Sequence, residues 1–370
     1  MGHAWIDGRP VALNAAVSEA ARLLATSRMP VVAGLGTDVA GARATVALAR
    51  QLGAAIDHMN SEAVLRDLSV MREAAMTVTT GNEARLRADV LLLVGAGPAD
   101  GAPDLMQQLM AAPVLPRLEE GAVRRIIRLC PGSAPTKRAG IASAQVVGRS
   151  PGDLPAVLAA LRARVAGRPI GKTRVAAKAL DALAVDLRGA RFGVAVWSAT
   201  ELDVLAIEML CGLIDDLNAE TRFAGLALAP DDDAIGVMQV CGWMTGFPMR
   251  TGFARGYPEH DPWRFDAARL VESGEGDCAL WISAYRPAAP LWQRNVPTVA
   301  LTAPGANFRH APRVHIEVGC PGTDHDAVEH CPLTGTLVPV AATKPAGTIS
   351  VADAITHIAT ALPPAGASAC

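Results

Sequence analysis

Aromatic and charged side chains are scarce in this 370-residue sequence. Aromatic residues make up 4% and charged residues 19%, whereas hydrophobic residues make up 51%. The formal net charge is −2, so the chain has no general attraction for nucleic acid or for an anionic membrane surface. This composition is typical of a globular protein that packs small aliphatic side chains and forms large subunit interfaces.

Long apolar runs and paired cysteine motifs are missing as well. No apolar run approaches 18 residues, and the N-terminus lacks the basic and apolar regions of a signal peptide. The seven cysteines are odd in number, scattered over positions 130 to 370, and form no C-x-x-C pair. We therefore expect a cytoplasmic protein with no membrane span, no disulfide framework and no cysteine-ligated iron–sulfur cluster.

Strand-like and helix-like segments alternate along the chain, which predicts an α/β fold. Short buried strands are expected at 31–34, 90–94, 125–129, 145–148, 191–197, 223–228, 277–283, 296–301 and 314–318. Amphipathic helices are expected between them, for example at 37–52, 153–165, 201–217 and 266–272. We interpret 1–166 and 167–345 as two Rossmann-like, doubly wound units, with 167–173 as a linker and 346–370 as a C-terminal helix and disordered tail.

The glycine-rich stretch 236–256 contains five glycines and two arginines. It predicts a long ordered loop after a short helix, either a binding surface or a structural loop that holds two halves together. A second glycine-rich segment, 34–41, lies where a strand meets a helix. It does not match the G-x-G-x-x-G fingerprint, so a plain turn is favoured over a dinucleotide site.

Two clusters of metal-ligand residue types need an interpretation. The three carboxylates at 231–233 are read as a helix cap rather than a metal site. The segment 320–331 is rich in Cys, His, Asp and Glu, but its spacing matches no closed zinc module and its prolines and glycine mark a surface loop. No G-x-S-x-G elbow or Cys–His signature points to nucleophilic catalysis.

Arginines at predicted strand ends are the remaining candidates. Arg250, Arg255 and Arg286 form an anion site if their loops converge, because a guanidinium matches a carboxylate in a two-pronged geometry. Alternatively, they pair at the surface with Glu259, Asp261 or Glu272. The segment 130–138, which includes Lys137, is another predicted strand-end loop.

Four stretches together resemble one family. These are 29–37 with 49–57, 80–90 with 95–98, 243–256, and 275–280. In order and spacing they resemble the B subunit of formylmethanofuran dehydrogenase, a relative of the molybdopterin oxidoreductases. The resemblance spans about 5–344 and implies two Rossmann-like units without the iron–sulfur domain.

The departures from that family concern its redox centre. No cysteine precedes Cys130, where the family has an N-terminal iron–sulfur cluster. The loop 58–69, which follows Asp57, has neither the cysteine nor the selenocysteine that binds the family's metal. The segment 130–134 lacks the acid and the arginine of the family's D-P-R-x-T loop, which helps to hold the pterin. The metal ligand, the electron relay and part of the pterin cradle are therefore missing together, and a soft metal without a thiolate is not expected.

This pattern is similar to the B subunit of bacterial formyltransferase/hydrolase complexes. The resemblance implies a non-redox structural subunit in the one-carbon pathway from formaldehyde to formate. It implies three partners: a zinc amidohydrolase-like hydrolase subunit, a formyltransferase subunit and a C-type subunit. The complex uses a furan cofactor with a glutamate-rich arm, and we expect Lys137, Arg250, Arg255 and Arg286 to dock that arm. The alternatives are an active tungsten- or molybdenum-pterin dehydrogenase subunit and a free-standing nucleotide- or sugar-binding protein.

Overall fold

The computed structural model describes residues 3–95, 102–111, 124–129, 153–173 and 175–363. The chain divides into two compact units: Met1–Ser61, Asp231–His330 and Leu337–Cys370 form unit 1, and Glu62–Pro230 with Cys331–Thr336 forms unit 2. This division differs from the expected sequential boundaries at 166 and 345, and the predicted linker 167–173 lies inside unit 2. The reason is that strands from both ends of the chain pair in one sheet, a pairing that local periodicity does not reveal.

The elements up to residue 230 follow in chain order. They are β1 Ala4–Ile6, β2 Arg9–Pro10, α1 Leu13–Thr26, β3 Pro30–Gly36, α2 Val39–Leu52, β4 Ala55–Ile56, α3 Ser61–Ala74, α4 Gly81–Arg87, β5 Val90–Val94, α5 Pro103–Met110, β6 Arg125–Leu129, α6 Leu154–Val165, α7 Ala177–Arg188, β7 Gly193–Trp197, α8 Val204–Leu217 and β8 Phe223–Ala227. The predicted strand 145–148 and the loop 130–138 with Lys137 lie outside the described residues.

The remaining elements complete the chain. They are α9 Ala234–Thr245, β9 Thr251–Gly252, β10 Glu259–His260, α10 Ala267–Ser273, β11 Cys278–Ser283, β12 Thr298–Thr302, β13 Val314–Glu317, β14 Ala327–Cys331, β15 Thr336–Val340 and α11 Val351–Ala361. β14 and β15 form a separate two-stranded sheet, so the predicted surface loop 320–331 ends in a strand. Residues 364–370, predicted to be a disordered tail, lie outside the described part.

Unit 1 contains a sheet with nine strands among the described residues, in the order β10-β9-β4-β3-β11-β12-β13-β1-β2. Its centre, β4-β3-β11-β12-β13, is parallel, and the short strands at both ends pair antiparallel. Alternate residues of β3 enter different cores: Val32 packs in the core of α1, α2, α9 and α11, whereas Val31 packs with α10 and Trp292. Both faces of this sheet are therefore covered, as is usual for parallel sheets.

Unit 2 contains a parallel sheet in the order β6-β5-β7-β8, again for the described residues. Leu92 of β5 packs with α6, α7 and α8, and Leu91 packs on the opposite face with α4 and α5. The α/β class with parallel sheets, predicted from the alternation of elements, is confirmed. Among the described residues no helix is both long enough and apolar enough to cross a membrane.

Two predicted local features change. The 236–256 stretch is not a loop throughout, because its first ten residues belong to α9. Asp233 stands at the N-cap position of α9 in the left-handed conformation, and its side chain makes no capping hydrogen bond. The prediction of a cap at 231–233 is therefore correct in position, but the Asp233 side chain does not cap the helix. These aspartates make other contacts. By contrast, Asp38 caps α2 as expected, accepting the N–H of Gly41.

Candidate functional site

The carboxyl ends of neighbouring parallel strands in unit 1 bring polar side chains together. After β4 come Asp57, His58 and Met59, after β11 comes Arg286, and Asp232 lies just before α9. We call these five residues the strand-end cluster. Ligands of open α/β sheets bind at this edge of the sheet, which makes the cluster the candidate functional site.

An ion pair between Arg286 and Asp232 occupies the cluster. Nε of Arg286 donates to both carboxylate oxygens of Asp232, at 3.0 and 2.9 Å, and Nη2 donates to Oδ2 at 2.6 Å. The Asp232 side chain is 1% exposed and that of Arg286 is 53% exposed. The pairing raises the pKa of Arg286, so this guanidinium stays charged. The cluster therefore contains an ion pair in which the carboxylate is buried and the guanidinium is half-exposed.

His58 is buried beside this pair, and both of its ring nitrogens are used. Nε2 donates to the backbone oxygen of Asp232 at 3.1 Å, and Nδ1 accepts the N–H of Asn60 at 3.0 Å. Burial lowers the pKa of His58 to about 4, so the imidazole is neutral at physiological pH. The Nε2–H tautomer follows from these contacts.

Asp57 and Arg250 form a second buried charge pair. Nε of Arg250 lies 3.6 Å from Oδ2 of Asp57, and Nη2 lies 2.8 Å from Oδ2 of Asp266, which caps α10. Oδ2 of Asp57 also accepts the N–H of Ala267 at 3.0 Å, whereas Oδ1 accepts no hydrogen bond. Burial raises the pKa of Asp57 to about 6, against the opposing attraction of Arg250.

A third group of ionisable side chains includes Asp233, the residue that follows Asp232. Oδ1 of Asp233 accepts the N–H of His330 at 2.9 Å, and burial raises the pKa of Asp233 to about 7. Burial also raises the pKa values of Glu329 and Tyr285, which interact with each other and with the charge of Asp38. Shifted pKa values of several neighbouring groups are typical of functional sites.

Left-handed backbone conformations concentrate around the same place. Among the described residues, Asp7, Leu35, Ala75, Asp232, Asp233 and Arg250 are the non-glycine residues with positive φ. Four of these six lie in or next to the strand-end cluster. Gly34 also has φ +81, and a Cβ there would lie 2.4 Å from the backbone oxygen of Ile282. Strained backbone at one site marks a place that the surrounding fold holds in a specific geometry.

Each of the three predicted arginines pairs with its own carboxylates. Arg250 is held by Asp57 and Asp266 with 12% of its side chain exposed, and Arg286 is held by Asp232. Arg255 lies at the surface, 61% exposed, and pairs with Glu259 at 3.3 Å, as the alternative interpretation expected.

Four of the five residues of the strand-end cluster, all except Arg286, were not predicted from the sequence as site residues. His58 lies two residues after β4, and Asp232 lies two residues before α9. Asp232 directly precedes a predicted helix, whereas no strand was predicted before His58. The position of Asp232 beside a predicted element, at the edge of a sheet where ligands of α/β proteins collect, was the signal that could have identified it.

The strand-end cluster does not fit the metal that the family resemblance implies. A soft metal prefers thiolate ligands, and the loop after Asp57 offers an imidazole whose two nitrogens are engaged. The half-exposed guanidinium of Arg286 also opposes a further cation. In the part of the chain that the structure describes, no group of three His, Cys, Asp or Glu side chains is arranged to hold a metal ion.

Comparison with known proteins shows what this chain is similar to. No family model matches it. The B subunit of the formyltransferase/hydrolase complex Fhc of Methylorubrum extorquens is 36% identical over 322 residues, covering 86% of this chain and 85% of that protein. The B subunit of the tungsten-containing formylmethanofuran dehydrogenase 2 of Methanocaldococcus jannaschii is 28% identical over 303 residues, covering 80% of this chain and 69% of that protein.

A solved structure matches the fold over nearly the whole chain. It is the X-ray crystal structure of the formyltransferase/hydrolase complex FhcABCD from Methylorubrum extorquens in complex with methylofuran. The matched chain is 36% identical, with a TM-score of 0.85, and the match covers 96% of this chain and 98% of that one.

Proposed function

Because this chain belongs to the family of Fhc B subunits of formyltransferase/hydrolase complexes, we propose that it is a non-redox component of such a complex in one-carbon metabolism. It is also homologous to the B subunit of formylmethanofuran dehydrogenase. Its role is to provide subunit interfaces and to dock the furan cofactor, in a complex that converts formyl groups derived from formaldehyde to formate. The expected compartment is the cytoplasm.

The observation that carries the non-redox role is the filling of the strand-end cluster. Arg286 is paired with Asp232, and both ring nitrogens of His58 are hydrogen-bonded. We infer that these residues occupy the position at which a redox relative holds its thiolate and metal. The buried carboxylate of Asp232 has a cationic partner in Arg286, so the pair is neutral as a whole. An ion pair of this kind can preserve the packing of the strand ends in the absence of a metal. The fold is thereby retained without the redox chemistry.

We further propose three partner subunits, namely a zinc amidohydrolase-like hydrolase, a formyltransferase and a C-type subunit. The matched complex was crystallised with methylofuran, which supports a furan cofactor for this family. Of the proposed contacts to its glutamate-rich arm, Arg255 and Arg286 are more than half exposed, at 61% and 53%. Arg250 is the weaker candidate because it is mostly buried, and Lys137 remains a candidate outside the described residues.

Elemental analysis of the complex, purified untagged from its own source, tests the non-redox role. We expect zinc from the hydrolase partner and less than about a tenth of an equivalent of tungsten or molybdenum. Near-stoichiometric tungsten or molybdenum in this chain would restore the dehydrogenase alternative. A stable monomer that purifies without partners would instead favour a free-standing binding protein.

Cofactor docking is tested separately by affinity for the furan cofactor. Arg255→Ala and Arg286→Ala in the assembled complex are expected to weaken binding about 5- to 30-fold each, since each removes a charge-assisted contact of about 1 to 2 kcal/mol. Arg43→Ala, on the exposed side of α2, is the matched control. Equal affinity in all three variants would refute arm docking at these residues.

A further inference from the structure

A small pocket lies at the amino ends of two neighbouring strands of unit 1. The segments 290–298 and 308–310 enclose about 310 Å³; the first leads into β12 and the second lies before β13. Because β12 and β13 are parallel to β11 and β4, this is the opposite edge of the sheet from the strand-end cluster. We call it the arginine pocket and define it by six of its lining residues: Trp292, Arg294, Val296, Phe308, Arg309 and His310.

Direct contacts join the walls of the pocket. Nε2 of His310 donates to the backbone oxygen of Gln293 at 2.8 Å, which links the two segments to each other. The N–H of Gln293 donates to the carboxylate of Glu272 in α10. The ring of Trp292 meets the ring of Trp281 in β11 edge to face, with centroids 5.5 Å apart. The walls are therefore in place before a ligand binds, which reduces the entropy lost on binding.

The pocket carries two positive charges that the chain does not balance. In the part of the chain that the structure describes, neither Arg294 nor Arg309 has a carboxylate partner, and no Asp or Glu lines the pocket. The Arg294 guanidinium lies against the end of α10, because a Cβ at Gly274 would be 2.5 Å from its Nη1. The nearby Glu272 is already engaged by the N–H of Gln293. An external dianion would balance the two guanidiniums.

The remaining walls are apolar and aromatic. Trp292 is 7% exposed and Val296 is 8% exposed. Phe308 is half-buried, and its ring meets His315 of β13 edge to face with centroids 5.2 Å apart. Small-molecule sites combine such walls with a few charged groups in volumes of about 300 to 1,000 Å³. At 310 Å³ the pocket lies at the lower end of this range, so it fits an anion that carries one small organic group.

The two guanidiniums favour a phosphate monoester over other anions. Guanidinium N–H groups match the geometry of phosphate oxygens and bind them in pairs. A phosphate monoester carries about −1.5 to −2 charge at pH 7, since its second pKa is about 6. This charge balances both arginines, whereas a single carboxylate balances only one.

We propose that the arginine pocket binds a small phosphate monoester. The phosphate lies between Arg294 and Arg309, and the organic group lies against Trp292 and Phe308. The proposal goes beyond the proposed function and does not depend on it, because every residue of the pocket belongs to this chain. The pocket shares no residue with the strand-end cluster or with the four residues proposed to dock the furan cofactor.

The test is calorimetric titration of the full chain, in the assembly in which it purifies from its own source, with phenyl phosphate as the probe. The variants are Arg294→Gln, Arg309→Gln and the double variant. We expect about tenfold weaker binding for each single variant and about 100-fold for the double variant, since each loses a charge-assisted contact. Arg43→Gln, which removes an exposed arginine from α2, is the matched control and should bind as the wild type does.

Two further probes separate the charge from the organic group. Inorganic phosphate lacks the ring and benzoate carries a single charge, so both are expected to bind at least about tenfold more weakly than phenyl phosphate. Equal affinity for inorganic phosphate would overturn recognition of an ester, and equal affinity for benzoate would overturn selection of a dianion. Tighter binding of an oligoglutamate would assign the pocket to an acidic peptide and contradict the proposal.

A second readout uses the unmodified protein and so does not depend on the folding of variants. Phenyl phosphate is expected to slow the modification of Arg294 and Arg309 by a guanidinium-specific reagent, followed by peptide mass spectrometry, and to leave Arg43 unaffected. Unchanged modification of the two pocket arginines would overturn the proposal. Wild-type affinity in the double variant, or no saturable binding at about 10 mM probe, would overturn it as well.

Discussion

Replacing Arg286 by alanine is the sharpest perturbation of the strand-end cluster. The substitution removes three hydrogen bonds to Asp232 and leaves a carboxylate that is 1% exposed without its cation. Removing one partner of a buried pair usually costs about 3 to 5 kcal/mol, because the other charge stays buried and uncompensated. Arg286 itself is 53% exposed, so water reaches the vacated position and lowers the penalty. We expect a loss of about 2 to 3 kcal/mol in the free energy of unfolding.

A double-mutant cycle isolates the pair. Asp232→Asn keeps an oxygen acceptor for Arg286 and is expected to cost about 1 to 2 kcal/mol. The double variant Arg286→Ala/Asp232→Asn is expected to be more stable than the sum of the single effects predicts, with a coupling energy of about 1 to 2 kcal/mol. Arg255→Ala is the matched control, since its partner Glu259 is solvent-accessible and exposed pairs contribute about 0 to 1 kcal/mol.

Urea unfolding followed by intrinsic fluorescence provides the measurement. The midpoint shift at constant slope gives the change in unfolding free energy, and a changed slope would signal altered compactness instead. A cost of Arg286→Ala that is no larger than that of Arg255→Ala would refute the reasoning. Absence of coupling in the cycle would refute it as well, since the pair would then not stabilise the strand ends.

Two further perturbations probe the same edge of the sheet. Burial raises the pKa of Asp57 to about 6, so stability from this group is complete below about pH 4 and is lost as the pH rises to about 6. Relative to wild type, Asp57→Asn should therefore gain about 3 kcal/mol between pH 4 and pH 7, measured by urea unfolding at both values, and a pH-independent difference would contradict this. Gly34→Ala should cost about 3 kcal/mol or more because its Cβ meets the oxygen of Ile282 at 2.4 Å. Gly8→Ala, with φ +72 and open space around it, should cost only about 1 kcal/mol, and equal effects on the melting temperature would refute the steric argument.

The candidate site was only partly predictable from the sequence. The strand ends were expected where apolar runs stop, and β5 and β6 were predicted with their observed bounds. Arg250 and Arg286 each pair with a buried carboxylate that is distant in sequence, Asp57 and Asp232 respectively, and their role in holding an anionic arm stays a prediction. Which carboxylate meets which guanidinium depends on strand order, and strand order is not a local property.

The structure of the glycine-rich stretch 236–256 was also predicted only in part. Its glycines favoured a loop, yet 236–245 is helical because Val237, Val240 and Cys241 bury one face in the core of unit 1. Tertiary packing outweighs the helix penalty of about 1 kcal/mol per glycine. Trp243 and Phe247 in this stretch are exposed, and the binding role of the stretch stays a prediction.

Residue types and their spacing along the chain were enough to predict the α/β class, most strand positions and the capping of α2 by Asp38. These features arise from interactions that act locally. The discontinuous units, the pairing of Arg286 with Asp232 and the engagement of both nitrogens of His58 emerged only from the folded chain. Each of these requires segments that are distant in sequence to become neighbours in one sheet. Which segments become neighbours follows from the need to bury both faces of the sheet.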